Sequence, residues 1–189
     1  MPVERTLIIV KPHAVARGLT GEFLARFERM GLRIAALRVV NGSRDLWDRF
    51  YPSDPQWFEN VGGKTLEDAK ARGIDVKTRL GTDEPRAIGK LVKSWLVDHM
   101  ASGAAIGAVL EGNDAQAKVR AACGATLPNR AAPGTIRFDY SSDAAALAND
   151  EKRPVYNLIH ASDPAEKREG GSAAEFEIGV LFSEPCKAI

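Results

Sequence analysis

Cysteine is scarce in this chain of 189 residues, where only Cys123 and Cys186 occur. Two cysteines cannot build a disulfide framework, and these two do not have the close spacing of zinc ligands. A low cysteine content is typical of reducing compartments, so we expect a cytoplasmic protein. The first apolar stretch is short and flanked by charges, which argues against a signal peptide.

Long apolar runs and an excess of positive charge are also missing. No stretch approaches the roughly 18 apolar residues that a membrane helix needs. The 26 Lys and Arg residues are balanced by 25 Asp and Glu residues, whereas nucleic-acid-binding domains are usually strongly basic. We therefore expect no membrane span and no nucleic-acid partner, while anions can still bind at local clusters of Lys and Arg.

Histidine is the third scarce residue, with three copies at His13, His99 and His160. Their wide separation does not indicate a zinc site. His160 follows a short apolar run and precedes Ala-Ser-Asp-Pro. In that place a histidine can be a buried structural residue or a nucleophile, because neutral imidazole is well populated at neutral pH.

Strand and helix patterns alternate along most of the chain. Apolar, β-branched runs predict strands at 5–11, 32–40, 104–112 and 175–182, with a short extended segment that carries His160. Helical spacing predicts helices at 20–30, 43–51, 87–100 and 113–123, and another beginning near Pro164. Asn113 and Gln116 predict a capping box.

This order of elements predicts a single α+β domain that spans 1–189. The expected architecture is a ferredoxin-like βαββαβ sandwich, an antiparallel sheet with helices on one face. That fold supports many unrelated functions, so the function must be argued from the site.

The segment from Pro52 to Pro85 is polar and lacks sustained apolar periodicity. Loops of this length without secondary structure are uncommon, so we interpret the segment as an insertion with some helix of its own. Its VGGKT sequence, 61–65, ends like a phosphate-binding P-loop. That motif needs a preceding strand and a glycine where Phe58 stands, and we therefore reject it.

Side chains that suit phosphate oxygens occur near the ends of predicted elements. They are Lys11 after the first strand, Arg120 on the helix after the third strand, Thr126, and Arg137 after a Gly-Thr turn. Charge-assisted hydrogen bonds from these groups would bind a phosphate if the fold brings them together.

A phosphorylated His160 would also need a carboxylate that holds its ring. Three acidic residues follow it closely enough to be candidates: Asp163, Glu175 and Glu177. Glu177 is preferred because its predicted strand could return it to the ring.

Three separated blocks resemble the nucleoside diphosphate kinase family. They read ERTLIIVKPHAVARGLTGEFLARFERMGLRIAALRVV, then SGAAIGAVLEGNDAQAKVRAACGATLPNRAAPGTIRFDYSSD, then NLIHASD followed by EFEIGVLF. The resemblance covers 4–51 and 100–182. It implies a ping-pong reaction, in which a nucleoside triphosphate passes its γ-phosphate to a histidine and a nucleoside diphosphate then takes it.

The resemblance also implies a role for each matching residue. His160 would be the nucleophile, and Glu177 would orient its imidazole. The other implied positions are Lys11, Arg120, Thr126 and Arg137 on the phosphates, Asn157 on the sugar, and Tyr51 near the histidine. The family's base-stacking residue has no clear match, and Val92 or Leu91 is the nearest candidate.

Cofactor and assembly follow from the same resemblance. Mg²⁺ would be held mainly by the nucleotide phosphates, with no protein ligands. Base specificity would be broad, because stacking discriminates poorly between bases. The family also implies a homo-oligomer, either a hexamer or a tetramer.

Several positions depart from the family pattern. His13-Ala14 replaces Asp-Gly, Ala161 replaces the glycine after the histidine, and Phe138 follows Arg137 where glycine is usual. The stretch 170–174 also lengthens the segment before Glu177. These changes leave an alternative open, a regulatory or scaffold homologue that binds nucleotides without useful turnover. No matched phosphate-binding or nucleophilic position is lost, which favours an active enzyme.

Overall fold

The central feature of the fold is a four-stranded antiparallel sheet. The computed structural model describes residues 3–163, 167–168 and 171–183. The sheet contains β1 (Glu4–Val10), β2 (Arg33–Val40), β3 (Ala105–Gly112) and β4 (Ile159–Ala161), in the order β2-β3-β1-β4. A small second sheet pairs β5 (Lys167–Arg168) with β6 (Gly171–Ser172). The first three strands lie within one residue of their predicted bounds.

Helices connect and cover these strands. In the described part they are α1 (Pro12–Ala16), α2 (Thr20–Arg29), α3 (Arg44–Phe50), α4 (Pro55–Ala71), α5 (Val76–Leu80), α6 (Pro85–Ala101), α7 (Ala115–Cys123), α8 (Ile136–Tyr140), α9 (Ala145–Asp150) and α10 (Ala173–Ser183), with a 3₁₀ turn at Pro128–Arg130. The four helices predicted before residue 124 are present as α2, α3, α6 and α7. The predicted helix start near Pro164 lies outside the described residues, and Lys167–Arg168 form β5 rather than a helix.

Strand β1 is buried on both of its faces. Ile8 and Val10 join one apolar cluster with residues of α2 and α7, whereas Leu7 and Ile9 join another with residues of α3, α6 and α10. The predicted α+β class and ferredoxin-like order are confirmed. Helices cover both faces of the sheet, however, where the sequence analysis expected them on one. The continuous apolar run of β1 is consistent with this double burial.

The strand predicted at 175–182 is wrong, because this segment lies in α10. Glu177 and Leu181 are both 1% exposed. Their separation of four residues puts them on one helical face. The apolar run EFEIGVLF could be assigned to either element by periodicity, and it lacked an internal signal that would exclude a strand. The fourth strand of the sheet is instead β4.

The predicted capping box at the start of α7 is also wrong. The N-cap is Asp114, whose φ of 53° is left-handed, and its side chain makes no capping hydrogen bond. The backbone N–H of Gln116 donates instead to the carboxylate of Glu4, at 3.4 Å. A carboxylate from β1 therefore takes the place of the acceptor that a capping box would supply within the helix itself. Sequence spacing cannot reveal such a distant acceptor.

The segment 52–85 contains α4 and α5, and α4 packs directly against α6. Buried positions of α4 recur at helical spacing, but they are mostly small or polar: Phe58, Gly62, Thr65, Asp68 and Ala69. This composition explains why apolar periodicity did not reveal a helix of 17 residues. A Cβ at Gly62 would overlap the Pro85 carbonyl, and one at Gly89 would overlap the Phe58 carbonyl. The two helices therefore approach backbone to backbone.

Gly62→Ala should destabilise the protein by about 1–3 kcal/mol, because the new methyl group overlaps backbone that cannot move independently. Gly63→Ala is a matched control, since a Cβ at the next position meets no atom within 4 Å. The control should stabilise α4 by roughly 0.5–1 kcal/mol. Urea unfolding of both variants checks the difference. Equal effects of the two substitutions would contradict the close approach of α4 and α6.

Candidate active site

Pairing of β1 with β4 brings Lys11 beside the loop that precedes His160. His160 lies opposite Ile9 in the antiparallel register. One residue beyond β1, the backbone N–H of Lys11 donates to the carbonyl of Leu158 at 2.9 Å. The Lys11 ammonium also donates to Oδ1 of Asn157 at 2.7 Å. The lysine and the histidine loop are therefore joined through both backbone and side chain.

The imidazole of His160 is oriented by a buried carboxylate. Its Nε2 lies 3.0 Å from Oε1 of Glu177, and the His160 side chain is 21% exposed. An ionised carboxylate only accepts hydrogen bonds, so Nε2 carries the proton and Nδ1 keeps its lone pair. Among the described residues Nδ1 has no hydrogen-bond partner. Phe50 contacts the ring edge to face, with centroids 5.2 Å apart.

Ser162 is a site residue that the sequence analysis missed. Its hydroxyl donates to the second carboxylate oxygen of Glu177. Ser162 is 1% exposed, so this bond lies in the interior. A strand assignment at His160 would have predicted it, because residues two apart on a strand share a face.

Arg137 holds together the backbone of the histidine loop. The residue is 9% exposed and lies in the first turn of α8. Its guanidinium donates to three carbonyls: Asn157 at 3.3 Å, Gly124 at 2.6 Å and Ile159 at 2.8 Å. The remaining N–H groups stay available, because guanidinium carries more donors than these bonds use.

Arg120 and Thr126 approach the same loop from α7 and the segment that follows it. Arg120 donates to the carbonyl of Ala161 at 3.4 Å and forms an ion pair with Asp163 at 3.2 Å. The carbonyl of Thr126 accepts from Nδ2 of Asn157 at 3.0 Å. Asp163, a rival carboxylate in the sequence analysis, thus pairs with a cation. The side chain of Glu175 lies outside the described residues.

The electrostatics of these groups favour an anionic ligand. Burial, together with the nearby charge of Arg137, lowers the pKa of Lys11 to about 7. Burial, together with the charge of Glu177, raises the pKa of Tyr51, which stays neutral. The buried hydroxyl of Tyr51 has no hydrogen-bond partner among the described residues. An anion bound at Lys11 would stabilise the charged form of the ammonium group.

A cleft of about 290 Å³ connects these residues. The structure brings together eight of the nine predicted site residues along its walls: Lys11, Tyr51, Val92, Arg120, Thr126, Arg137, Asn157 and His160. The ninth, Glu177, lies behind the imidazole. Leu91, the alternative to Val92, is not among the lining residues.

Helix α4 contributes lining residues that the sequence analysis did not predict. They are Trp57, Val61, Lys64 and Thr65. Lys64 and Thr65 come from the VGGKT sequence, which folds as helix rather than as a P-loop. As an insertion, this segment could lie either at a nucleotide entrance or at an interface, and α4 lies along the cleft.

The departures at Ala161 and Phe138 do not disturb the cleft. Ala161 lies in β4 and is absent from the described residues with positive φ, so its backbone does not require glycine. Phe138 is 48% exposed and does not line the cleft. Neither change therefore removes a group that faces a ligand.

No protein metal cage accompanies the cleft in the described ranges, where no group of three or more His, Cys, Asp or Glu side chains could hold a metal ion. Among the described residues that line the cleft, Asp163 is the one carboxylate. Across the described residues, no helix is long and apolar enough to cross a membrane.

Known proteins resemble this chain in sequence and in structure. The family profile for nucleoside diphosphate kinase matches residues 4–60 and 88–185. A nucleoside diphosphate kinase of Pyrobaculum aerophilum is 48% identical over 184 residues, which cover 97% of each chain. The crystal structure of an NDP kinase from that organism superposes with a TM-score of 0.88 at 46% identity, and the match covers 96% of both chains.

Two nucleotide complexes are similar at lower identity. One is a transition-state mimic of the Borrelia burgdorferi nucleoside-diphosphate kinase with bound vanadate and ADP, with a TM-score of 0.70, 30% identity, and coverage of 95% of this chain and 87% of that one. The other is a halophilic nucleoside diphosphate kinase from Halobacterium salinarum in complex with CDP. Its TM-score is 0.66 at 31% identity, and the match covers 97% of this chain and 90% of that one.

Lys11→Met should change the pH dependence of stability. The unfolded chain keeps a proton on this lysine up to about pH 10.5, whereas the folded protein releases it near pH 7. The free energy of unfolding of the wild type should therefore rise from pH 7 to pH 9, relative to the variant, by about 1–2 kcal/mol.

Urea unfolding at several pH values measures this difference. Lys90→Met is the control, because Lys90 is an exposed lysine on α6. It should follow the wild type across the range. A Lys11→Met protein that also follows the wild type would contradict the depressed pKa of Lys11.

Proposed function

This chain belongs to the nucleoside diphosphate kinase family, and from that premise we propose that His160 carries the phosphoryl group between nucleotides. The enzyme transfers the γ-phosphate of a nucleoside triphosphate to a nucleoside diphosphate. The observation that carries the assignment is the hydrogen bond between Nε2 of His160 and Glu177, at 3.0 Å, with Nδ1 unpartnered among the described residues.

In the first half-reaction, the Nδ1 lone pair of His160 attacks the γ-phosphorus of the triphosphate. A P–N bond forms, and the bond to the β,γ-bridging oxygen breaks, so the electron pair leaves with the nucleoside diphosphate. The ring becomes cationic, and Glu177 stabilises it through the proton that stays on Nε2. Ser162 keeps the carboxylate in place through its other oxygen.

In the second half-reaction, a terminal oxygen of a new diphosphate attacks the same phosphorus. The P–N bond breaks, and its electron pair returns to Nδ1. Nothing else is consumed, so the histidine is regenerated with its original tautomer. Beyond the nucleophilic nitrogen of His160, the protein contributes positioning and charge stabilisation to both transfers.

Phosphate binding is assigned to the cationic end of the cleft. Lys11, Arg120 and Arg137 offer charged donors, and Thr126 adds a hydroxyl. The unpartnered hydroxyl of Tyr51 is a further donor near the histidine. Asn157 is assigned to the sugar. Its side-chain oxygen also accepts a hydrogen bond from the Lys11 ammonium, which fixes the position of that group.

Base binding is assigned to the apolar end of the cleft. Trp57 and Val61 from α4 line it together with Val92 and Leu96 from α6. Apolar contact and stacking accept any base with a π-face, so broad base specificity follows.

Magnesium is assigned to the nucleotide rather than to the protein. The cleft fits this assignment, because its lining residues include several cations and Asp163 as the one carboxylate. When bound to the phosphates, Mg²⁺ neutralises charge that develops during transfer.

The predicted homo-oligomer and cytoplasmic location are part of the proposal. Leu37 and Val39 are about half exposed on β2, an edge strand of the sheet. Exposed apolar groups on an edge strand favour association with another copy. The choice between hexamer and tetramer does not follow from this surface. A cytoplasmic location agrees with the use of nucleotides as substrates.

Incubation with γ-labelled ATP should produce an acid-labile, alkali-stable phosphoprotein. ADP, GDP and CDP should each discharge the label, because the base does not contribute to the phosphoryl bond. His160→Ala should abolish labelling, since Nδ1 is then absent. Labelling of this variant at the wild-type level would refute the assignment of His160, and Lys90→Ala controls for the handling of a surface variant.

Glu177→Gln should slow phosphorylation by roughly 10²-fold while ATP affinity changes little. An amide cannot accept from both the imidazole and Ser162, and it does not stabilise a cationic ring. Rapid-quench labelling at saturating ATP gives the rate, and Glu67→Gln, an exposed position on α4, is the control. A rate within threefold of wild type would remove Glu177 from the mechanism.

A further inference from the structure

Two histidines that the reaction does not use form a hydrogen-bonded pair beside the active-site loop. His13 lies in α1, two residues after Lys11, and His99 lies in the last turn of α6. Nδ1 of His13 and Nε2 of His99 are 2.7 Å apart. Both rings pack on Tyr156, with centroid distances of 4.7 Å and 5.1 Å.

The pair acts on Leu158, whose backbone conformation is unusual. Its φ is 69°, which non-glycine residues rarely adopt. The N–H of Ile159 donates to the carbonyl of Asn157 at 2.8 Å, so Leu158 is the centre of a tight γ-turn. The turn separates Asn157, which accepts a hydrogen bond from the Lys11 ammonium, from His160, which follows Leu158 by two residues.

The N–H and C=O groups of Leu158 both form hydrogen bonds, one with α1 and one with the residue before α1. The Leu158 carbonyl accepts from the Lys11 backbone. The Leu158 N–H donates to Nε2 of His13 at 3.0 Å. Leu158 itself is fully buried, so its N–H has no access to water and depends on this acceptor.

The backbone amide determines the tautomers of both rings. Since Leu158 N–H donates to it, Nε2 of His13 must be unprotonated, and a neutral His13 carries its proton on Nδ1. Nδ1–H then donates to Nε2 of His99, which must also be unprotonated. A further proton on His13 would face Leu158 N–H, and one on Nε2 of His99 would face Nδ1–H of His13. The two hydrogen bonds therefore exist only while both rings are neutral.

The surroundings keep both rings neutral. Burial and nearby cations lower the pKa of His13 to about 3 and that of His99 to about 4. The charged groups around the pair are Lys11, Arg17 and Arg153, which oppose protonation, and Asp143, which favours it.

We propose that His13, held by His99, is a positioning residue for phosphoryl transfer: it fixes the Leu158 turn that sets His160 against Lys11 and Asn157. The inference rests on the proposed role of His160. It gives a function to His13, which stands where the family pattern has aspartate. An imidazole can accept from the buried amide as a carboxylate would, without adding a negative charge next to the Lys11 ammonium.

Two substitutions at His13 separate positioning from simple stability. In His13→Gln the side-chain carbonyl can accept from Leu158 N–H near the place of Nε2. In His13→Leu the volume is kept and the acceptor is lost. His160 phosphorylation at saturating γ-labelled ATP, ATP affinity and the melting temperature are measured for each.

The leucine variant should phosphorylate at least tenfold more slowly than wild type, with ATP affinity changed less than threefold. The glutamine variant should recover to within about threefold of wild type. If the leucine variant does not fold, His13→Asn replaces it. The asparagine side chain is too short to reach the Leu158 amide, so this variant should also be phosphorylated slowly.

The positioning role would be overturned if a folded leucine variant reacted at the wild-type rate. Equal rates for the glutamine variant and the variants that lack an acceptor for Leu158 N–H would overturn it as well. Wild-type protein that gains no label on His160 would instead overturn the proposed function. The two failures are therefore distinguishable in one set of reactions.

Discussion

The site depends above all on the pairing of β1 with β4. Because His160 lies opposite Ile9, its ring projects on the face that α3 and α10 cover, where Glu177 meets it. The ladder continues through the backbone bond between Lys11 and Leu158. Phosphoryl transfer requires reacting groups held in place before the substrate arrives. Backbone pairing in the interior meets that requirement better than contacts between flexible surface side chains.

Several buried polar groups around this pairing hydrogen-bond to one another. Arg137 donates to three carbonyls of the surrounding loops, and Asn157 bridges the Lys11 ammonium and the Thr126 carbonyl. Such a network is costly when a member is missing, because each remaining group loses its partner in a low-dielectric interior. It therefore favours a single arrangement of the loop, in which burial lowers the pKa of Lys11.

The sequence predicted groups tied to element ends better than groups that depend on distant packing. Lys11 and Arg120 could be proposed because a strand end and a helix were visible as patterns. Glu177 was predicted on a strand but lies in α10, where its carboxylate contacts His160, and its apolar neighbours fit a strand as well as a helix. Helix α4 was hidden because it packs through Gly62 and other small residues, whose burial depends on α6 and has no apolar signal.

The cleft is built from two kinds of structure with different consequences for specificity. Its cationic end belongs to the sheet and its hydrogen-bonded loops, whereas its apolar end is a wall formed by α4 and α6. An ion pair from Asp68 of α4 to Arg130 joins that wall to the remainder. In the proposed binding mode, a phosphate would meet fixed, directional donors, so its position would be defined closely. A base would meet mainly hydrocarbon and an indole ring, which define a plane but few directions, so exchange of one base for another would change little at the reacting phosphorus.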